Sequence, residues 1–442
     1  MRDRFDAIII GAGAAGLAAA RDLSISGKSI CVIEARQRLG GRIWSLHTPD
    51  LPLPIELGAE FVHGEPPETL QIADAAALLV HQLPDNHWWA RRGRWELRNE
   101  FWETIQRVLA RIPEGAHDVS FADFLKRQRR LEPRVRQMAT SFAEGFNAAH
   151  ADRISAASLK EDAAGGEWKQ FRIANGYDAV IEWLRAGIDP ERSSVRLGDA
   201  VTNVAWRRGD VEVTTARGSA VRARAAIVTV PIGVWKEPSA IRFTPPLRAK
   251  SDALAKLEVG HVVKIVFRFR EAFWDEAGFV ERRAAKRHPP LEGPLNFVHS
   301  SDRFMPTWWT TAPVRSPLLT GWAGGNAADR LLAEGHAAVV DRAIESLASV
   351  FGGVTRRQID LLLDATWTHD WQSDPFSRGA YSYTGVGGMG AHDALARPLS
   401  STLFFAGEAT TAEQTGTVAG AIATGRRAAR ECLLQGGMGS GL

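Results

Sequence analysis

The sequence predicts an α/β fold built on a Rossmann-type βαβ unit. Two observations carry this. Residues 6–42 read as an apolar run, a glycine turn, a helical segment and a second apolar run, which is the order of a dinucleotide grip. Near the other end, Ser401–Thr411 reads as a short strand leading to Gly407-Glu408, followed by a glycine-punctuated helix over 415–434. That is a second place where backbone amides can meet a cofactor.

Each part of the first unit has a mechanical reason. After the strand Ala7–Ile10, Gly11 allows the tight turn and Gly13 lets the backbone approach a pyrophosphate. Gly16 lets the helix lie against the sheet. Ala14 and Ala15 then stand at the helix N-terminus, whose partial positive charge faces the phosphates. The second run, Ser29–Ile33, ends at Glu34, where a carboxylate accepts hydrogen bonds from a ribose and repels a 2′-phosphate. Gly40-Gly41-Arg42 closes the unit.

Residues 65–190 read mostly as helix, with apolar residues at three and four spacing over 68–80, 100–111, 120–130 and 132–145. Ser120 with Asp123 suggests an N-cap, and Pro113 and Pro133 mark boundaries. Such an insertion would cap the nucleotide domain. Over 194–230 the period changes to short alternating runs broken at Arg208-Gly209-Asp210 and Arg217-Gly218, a β-meander ending in a buried strand. From 240 to 365 strands and helices mix: an amphipathic strand His261–Phe269, a tryptophan-rich run over 307–322, and a helix over 327–351.

The bulk numbers bound the function. The chain has 442 residues, 45% hydrophobic and 24% charged, the balance of a soluble globular protein with room for two or three domains. A net charge of +3 gives no electrostatic case for nucleic acid. The basic clusters at 126–130 and 281–287 read as solvated faces. Two cysteines and twelve histidines without ligand-like spacing predict neither disulfides nor a metal site. No segment approaches the ~18 apolar residues of a membrane span, and the N-terminus leaves no room for a signal peptide. A cytoplasmic protein, monomer or homodimer, is expected.

Several blocks together resemble the flavin-containing amine oxidases, the group of monoamine, polyamine and histone-demethylating oxidases. They are Gly11–Gly16 with Glu34–Arg42, Leu57–Gly64, Thr229–Val234, Phe243–Phe269, Trp371–Tyr383 and Phe405–Arg427, in family order. The resemblance implies a discontinuous FAD-binding domain (1–75, 191–240, 366–442) and a mixed α+β substrate domain (76–190 helical, 241–365 mixed). It puts Glu34 on the adenosine ribose, with Ala35 beside it. Arg36, Gly41 and Arg42 fall near the pyrophosphate, Val201 against the adenine, and Gly407 and Glu408 at the ribityl or phosphate region. Thr417 and Val418 lie near the pyrimidine end, Trp371 near the ring, and Gly58, Ala59, Glu60 and Phe61 on its other side. Pro231 belongs to the same shell.

The implied chemistry is transfer of a hydride equivalent from the carbon beside a neutral amine to flavin N5, hydrolysis of the imine, and reoxidation by O2 to give peroxide. The protein orients and desolvates. Lys264 matches the family lysine that holds a water at N5, and Tyr381 one aromatic wall of the substrate cage, able to attract a cationic tail by ~0.5–2 kcal/mol. Two departures bear on the substrate. Ala380 replaces the cysteine that carries covalent flavin, so FAD is expected noncovalent. Thr417 stands where monoamine oxidases have a second cage tyrosine. With Ser377–Thr384 and Val62-His63-Gly64, this leans toward polyamines or long, N-substituted amines, with His63 and Phe61 at the substrate and Glu60 adding negative charge nearby. A polyamine funnel would draw on Glu144, Glu161, Asp162 or Glu167. The alternatives are an amino-acid oxidase, needing a carboxylate clamp from Arg153 or Arg172, a desaturase of the same fold, and a noncatalytic FAD-stabilised binding module.

Overall fold

The computed structural model describes residues 4–98, 100–115, 117–164, 169–285 and 293–435. In the nucleotide half the strand Arg4–Ile10 lies between Ile30–Ile33 and Ala220–Val228, all parallel. Ser194–Arg196 extends the sheet beyond Ile30–Ile33, and Leu403–Phe405 pairs in parallel with Ala220–Val228. Val201–Arg207, Asp210–Thr215 and Ala220–Val228 form the expected antiparallel meander. The central strands are buried on both faces, which is why they read as continuous apolar runs rather than alternating ones.

Two helices far apart in sequence, Ala14–Ile25 and Val418–Gln435, cover one face together. A Cβ at Gly425 would lie 2.2 Å from the Ala15 carbonyl oxygen, so their approach depends on glycine. The helix Asp178–Ala186 packs Val180, Ile181 and Leu184 into the same cluster. This helix, expected in the helical insertion, thus shares the core of the first and last helices. Arg248–Lys256 likewise packs Ala253 with Ile232, Ala391 and Leu395.

The second half is organised by a sheet in the order Leu363–Thr368, Val262–Phe269, Leu318–Gly324, Thr307–Thr310, Phe297–Ser300, His87–Arg91, Arg94–Leu97. The last two strands correct the reading of 65–190 as mostly helical. They form a hairpin around Arg92 and Gly93, both at positive φ, and bury Trp88 and Trp95. Helices remain over Phe101–Leu109, Phe121–Arg127, Pro133–Gly145 and Ala156–Ala164, and those residues build a cap around Trp102, Phe121, Phe124 and Phe142. Ser120 is the N-cap expected, its Oγ accepting from the Asp123 N–H at 3.1 Å.

Three further elements differ from expectation. The helix expected over 68–80 is Pro67–Ala75, followed by the strand Val80–Gln82. That strand joins Gln170–Ile173 and Phe61–His63 in a small sheet. The segment 327–351 divides into Asn326–Ala333 and Ala338–Phe351 at Gly335, whose φ is +86°. Arg283 is not on a solvated basic face; it is buried, donating to the carbonyls of Phe279, Phe351 and Gly352. Glu167, Lys286, Arg287 and the glycine-rich 436–442 lie outside the described residues. No helix among the described residues is long and apolar enough to cross a membrane, and both cysteines are buried and free.

Candidate active site

A cavity of about 2080 Å³ runs between the two halves. Every residue expected at cofactor or substrate lies on its wall except Gly16. Gly16 works behind the wall, because a Cβ there would meet the Gly11 carbonyl oxygen at 2.0 Å. Gly11 has φ +105°, and a Cβ on it would lie 2.7 Å from Thr229 Oγ1. In front of Gly13 the nearest atom to such a Cβ is 3.9 Å away. The N-terminus of the helix starting at Ala14 has no side-chain cap and opens onto this space. That free cradle fits a pyrophosphate. Glu34 is buried at its edge, accepting from the N–H groups of Ala12 at 2.8 Å and Arg36 at 2.9 Å. A carboxylate has further lone pairs for ribose hydroxyls.

Three distant blocks are tied together beside it. Arg36 pairs with Asp374 at 2.8 Å and donates to Ser377 Oγ at 2.7 Å. Burial works against the charged form of Asp374, but hydrogen bonds from His369 and Arg36 outweigh it and hold the carboxyl well below its usual range. Arg42 pairs with Glu408 at 3.0 Å and donates to the Ala380 carbonyl. Glu408 also accepts from Ser382 Oγ at 2.6 Å and the Gly416 N–H at 3.2 Å. Trp371 donates to the Leu57 carbonyl at 3.0 Å.

Lys264 is buried in the strand Val262–Phe269. Its ammonium lies 2.7 Å from Glu60 Oε2 and donates to the Gly58 carbonyl at 3.1 Å. The other Glu60 oxygen accepts from Arg172 Nη2 at 2.7 Å and Trp309 Nε1 at 3.1 Å. Burial would raise the Glu60 carboxyl, yet the Lys264 and Arg172 cations overcome that and hold it at about 2. Glu60 is thus the counterion of two cations, not a free charge for a substrate amine. The same contact decides against Arg172 as a carboxylate clamp, since it also donates to the carbonyls of Ala312 and Thr310. Arg153 is exposed and off the cavity wall.

Tyr381 and His63 meet through a residue that sequence reasoning missed, Phe146. The Tyr381 hydroxyl donates to the Phe146 carbonyl at 2.7 Å, and the His63 ring stands edge-on to the Phe146 ring at 5.0 Å. His63 is accessible on the cavity wall, and desolvation by the groups around it lowers its pKa to about 4, so it is neutral at pH 7. Thr417 is on the wall, but its hydroxyl accepts from the Gly420 N–H at 2.9 Å and donates to the Gln414 carbonyl at 2.8 Å. It caps the last helix. Phe61 packs against Trp309 and lies 5.2 Å beneath the Arg172 guanidinium. Trp309 and Trp322 also line the cavity; the tryptophan-rich run over 307–322 was their only signal.

The family model for flavin containing amine oxidoreductase matches residues 14–433. Polyamine oxidase 3 of Oryza sativa subsp. japonica is 30% identical, spanning 97% of this chain and 89% of that protein. Lysine-specific histone demethylase 2 of Homo sapiens is 28% identical, spanning 96% of this chain and 52% of that longer protein. Among solved structures, putrescine oxidase bound to putrescine aligns with TM-score 0.79 at 21% identity, over 97% of this chain and 99% of that one. Cyclohexylamine oxidase from Brevibacterium oxydans IH-35A aligns with TM-score 0.79 at 19% identity, over 97% and 98%. These last two likenesses carry the fold. A family match from the first helix of the βαβ unit into the last helix spans both halves of the cavity, and the chain belongs to the flavin-containing amine oxidoreductase family as an FAD-dependent amine oxidase.

Proposed function

We propose that this amine oxidase acts on polyamines or other long, N-substituted amines and releases hydrogen peroxide. The observation that carries the reading is the composition of the cavity wall that bears Tyr381 and His63. It includes the acidic residues Glu144, Glu161 and Asp162, and a threonine at 417 in place of a second ring. Burial raises the Glu144 carboxyl and takes Asp162 to about 7, so a bound ammonium would draw both toward the ionised form. Glu144 is two residues from Phe146, and its carboxylate meets Asn326 Nδ2 at 2.6 Å. A distal ammonium can take its remaining lone pairs. The names of the related proteins, polyamine oxidase and putrescine oxidase, agree with this class.

When bound, FAD supplies the two-electron oxidant for the carbon beside the amine, and O2 restores it with formation of H2O2. The chain's own residues do the rest. Helix N-terminus, Glu34 and Arg42 hold the dinucleotide; the Tyr381 ring, fixed by its hydroxyl, aligns the amine. Neutral His63 can accept a hydrogen bond from an amine N–H. Lys264, held by Glu60 and the Gly58 carbonyl, keeps a donor aimed at the cavity for a water at the flavin. We also propose a cytoplasmic setting, on the ground of the two free cysteines; subcellular fractionation tests it.

The deciding experiment is a peroxide-release assay over mono-, di- and polyamines and amino acids. The expected result is the highest kcat/KM for an amine with a second cationic group. A preference for short monoamines would overturn the substrate class, and a flavin that no amine bleaches anaerobically would overturn oxidase activity itself. Thr417→Tyr should narrow the cage and depress kcat/KM selectively for N-substituted amines.

A further inference from the structure

We infer that His150, His261 and Asp329 form a site for a borderline divalent transition ion of the zinc class, at the junction of the cap and the substrate sheet. The three residues come from three elements. His150 lies in the turn after the helix Pro133–Gly145, His261 stands just before the strand that carries Lys264, and Asp329 is in the helix Asn326–Ala333. Their ligand atoms lie within 4.8 Å of one another. His150 Nε2 is 2.6 Å from one Asp329 oxygen and His261 Nδ1 is 2.5 Å from the other. The two rings stand nearly perpendicular, at 86°.

The donor set suits this class of ion. Two imidazole nitrogens and one carboxylate leave a fourth tetrahedral position for water, as in zinc sites with three protein ligands. Imidazole selects against magnesium and calcium, which prefer oxygen. An orienting contact is also present: His150 Nδ1 lies 3.2 Å from the Tyr383 hydroxyl. A hydroxyl can donate or accept, so it fits either tautomer of His150. Without an ion, Nε2–H donates to Asp329 and Nδ1 accepts from Tyr383. With an ion on Nε2, the proton stands on Nδ1 and is donated to the Tyr383 oxygen. Partner groups of this kind fix metal-bound imidazoles. His150 is buried, whereas the Asp329 and His261 side chains are 40% and 26% exposed, which leaves the ion a path in from solvent.

Binding replaces two N–H···O bonds by N–metal–O links, with ligand distances near 2.0–2.2 Å. The carboxylate has to swing only enough to admit the ion between itself and the rings. Any proton displaced from a doubly protonated imidazole goes to solvent. The bound ion would join cap, sheet and helix at one point. Its ligand His261 stands three residues before Lys264, just ahead of that strand, and its ligand His150 reaches, through Tyr383, the segment that carries Tyr381.

The test uses the flavin-loaded protein, treated with chelator, dialysed, and titrated with zinc chloride by calorimetry. The expected result is one zinc per chain and a raised melting temperature. His261→Ala and Asp329→Asn should each weaken binding at least tenfold. Tyr383→Phe should weaken it about 10- to 100-fold. His47→Ala, which removes a surface histidine paired with Asp178, should bind zinc as the wild type does. Flavin content and circular dichroism establish that each variant is folded, and His261→Gln replaces any that is not. Cobalt(II) should give the visible bands of a four-coordinate site in wild type and not in Asp329→Asn. No saturable zinc binding would overturn the inference, leaving a hydrogen-bonded His–Asp–His bridge. Equal binding by wild type, His261→Ala and Asp329→Asn would overturn it too, marking the zinc as adventitious.

Discussion

At Lys264 a buried cation is held by an anion that a second cation also claims. Removing the lysine charge leaves Glu60 with Arg172 and Trp309, so Lys264→Met should fold and stay yellow. Its turnover should fall ~10–100-fold, read by stopped-flow reduction and reoxidation; unchanged rates would remove Lys264 from the reaction. Glu60→Gln is the opposite case. It strands two buried cations and should lower stability by about 3–5 kcal/mol in urea melts. The pH sign follows from the depressed carboxyl. Glu60 titrates near 2 in the folded chain and near 4.3 when unfolded. Its stabilisation is therefore present above the unfolded value and lost as pH falls from ~4.3 toward 2. Wild type should lose stability in that window more steeply than Glu60→Gln. Lys264 was legible only through the family pattern. The partners that define its state were not legible: Glu60 is expected at the flavin or near the substrate amine, and Arg172 and Trp309 reach it from other elements, a contact no local spacing records.

Among elements, the junction of the first and last helices governs the cofactor cradle. Gly425→Ala puts a methyl 2.2 Å from the Ala15 carbonyl, an overpacking that costs about 1–3 kcal/mol. The last helix should shift, and the flavin-to-protein absorbance ratio of the purified variant should drop; full occupancy would show that the junction gives way elsewhere. Strong periodicity made the βαβ unit and the cap helices readable. The hairpin 87–97 is hidden inside a helical stretch because its signal is short: three tryptophans, Trp88, Trp89 and Trp95, around Arg92-Gly93. The sequence alone leaves the helix Asp178–Ala186 with the cap, since an amphipathic stripe does not say which core it faces.

For the whole molecule, Ala380 offers no thiol beside the cavity, and its carbonyl is taken by Arg42. Acid precipitation should leave all the flavin in the supernatant, measured by its absorbance; colour in the pellet would mean a covalent link. The order of the sheet has a consequence for biosynthesis. The turn at Gly11–Gly16 is made hundreds of residues before Leu403–Phe405 and the helix Val418–Gln435, which complete that half. A ribosome-bound chain halted before residue 403 carries the glycine turn without the helix that covers its neighbour. Flavin capture is therefore a late event in the life of the chain, after translation has passed the last helix, and nascent chains of intermediate length should remain colourless.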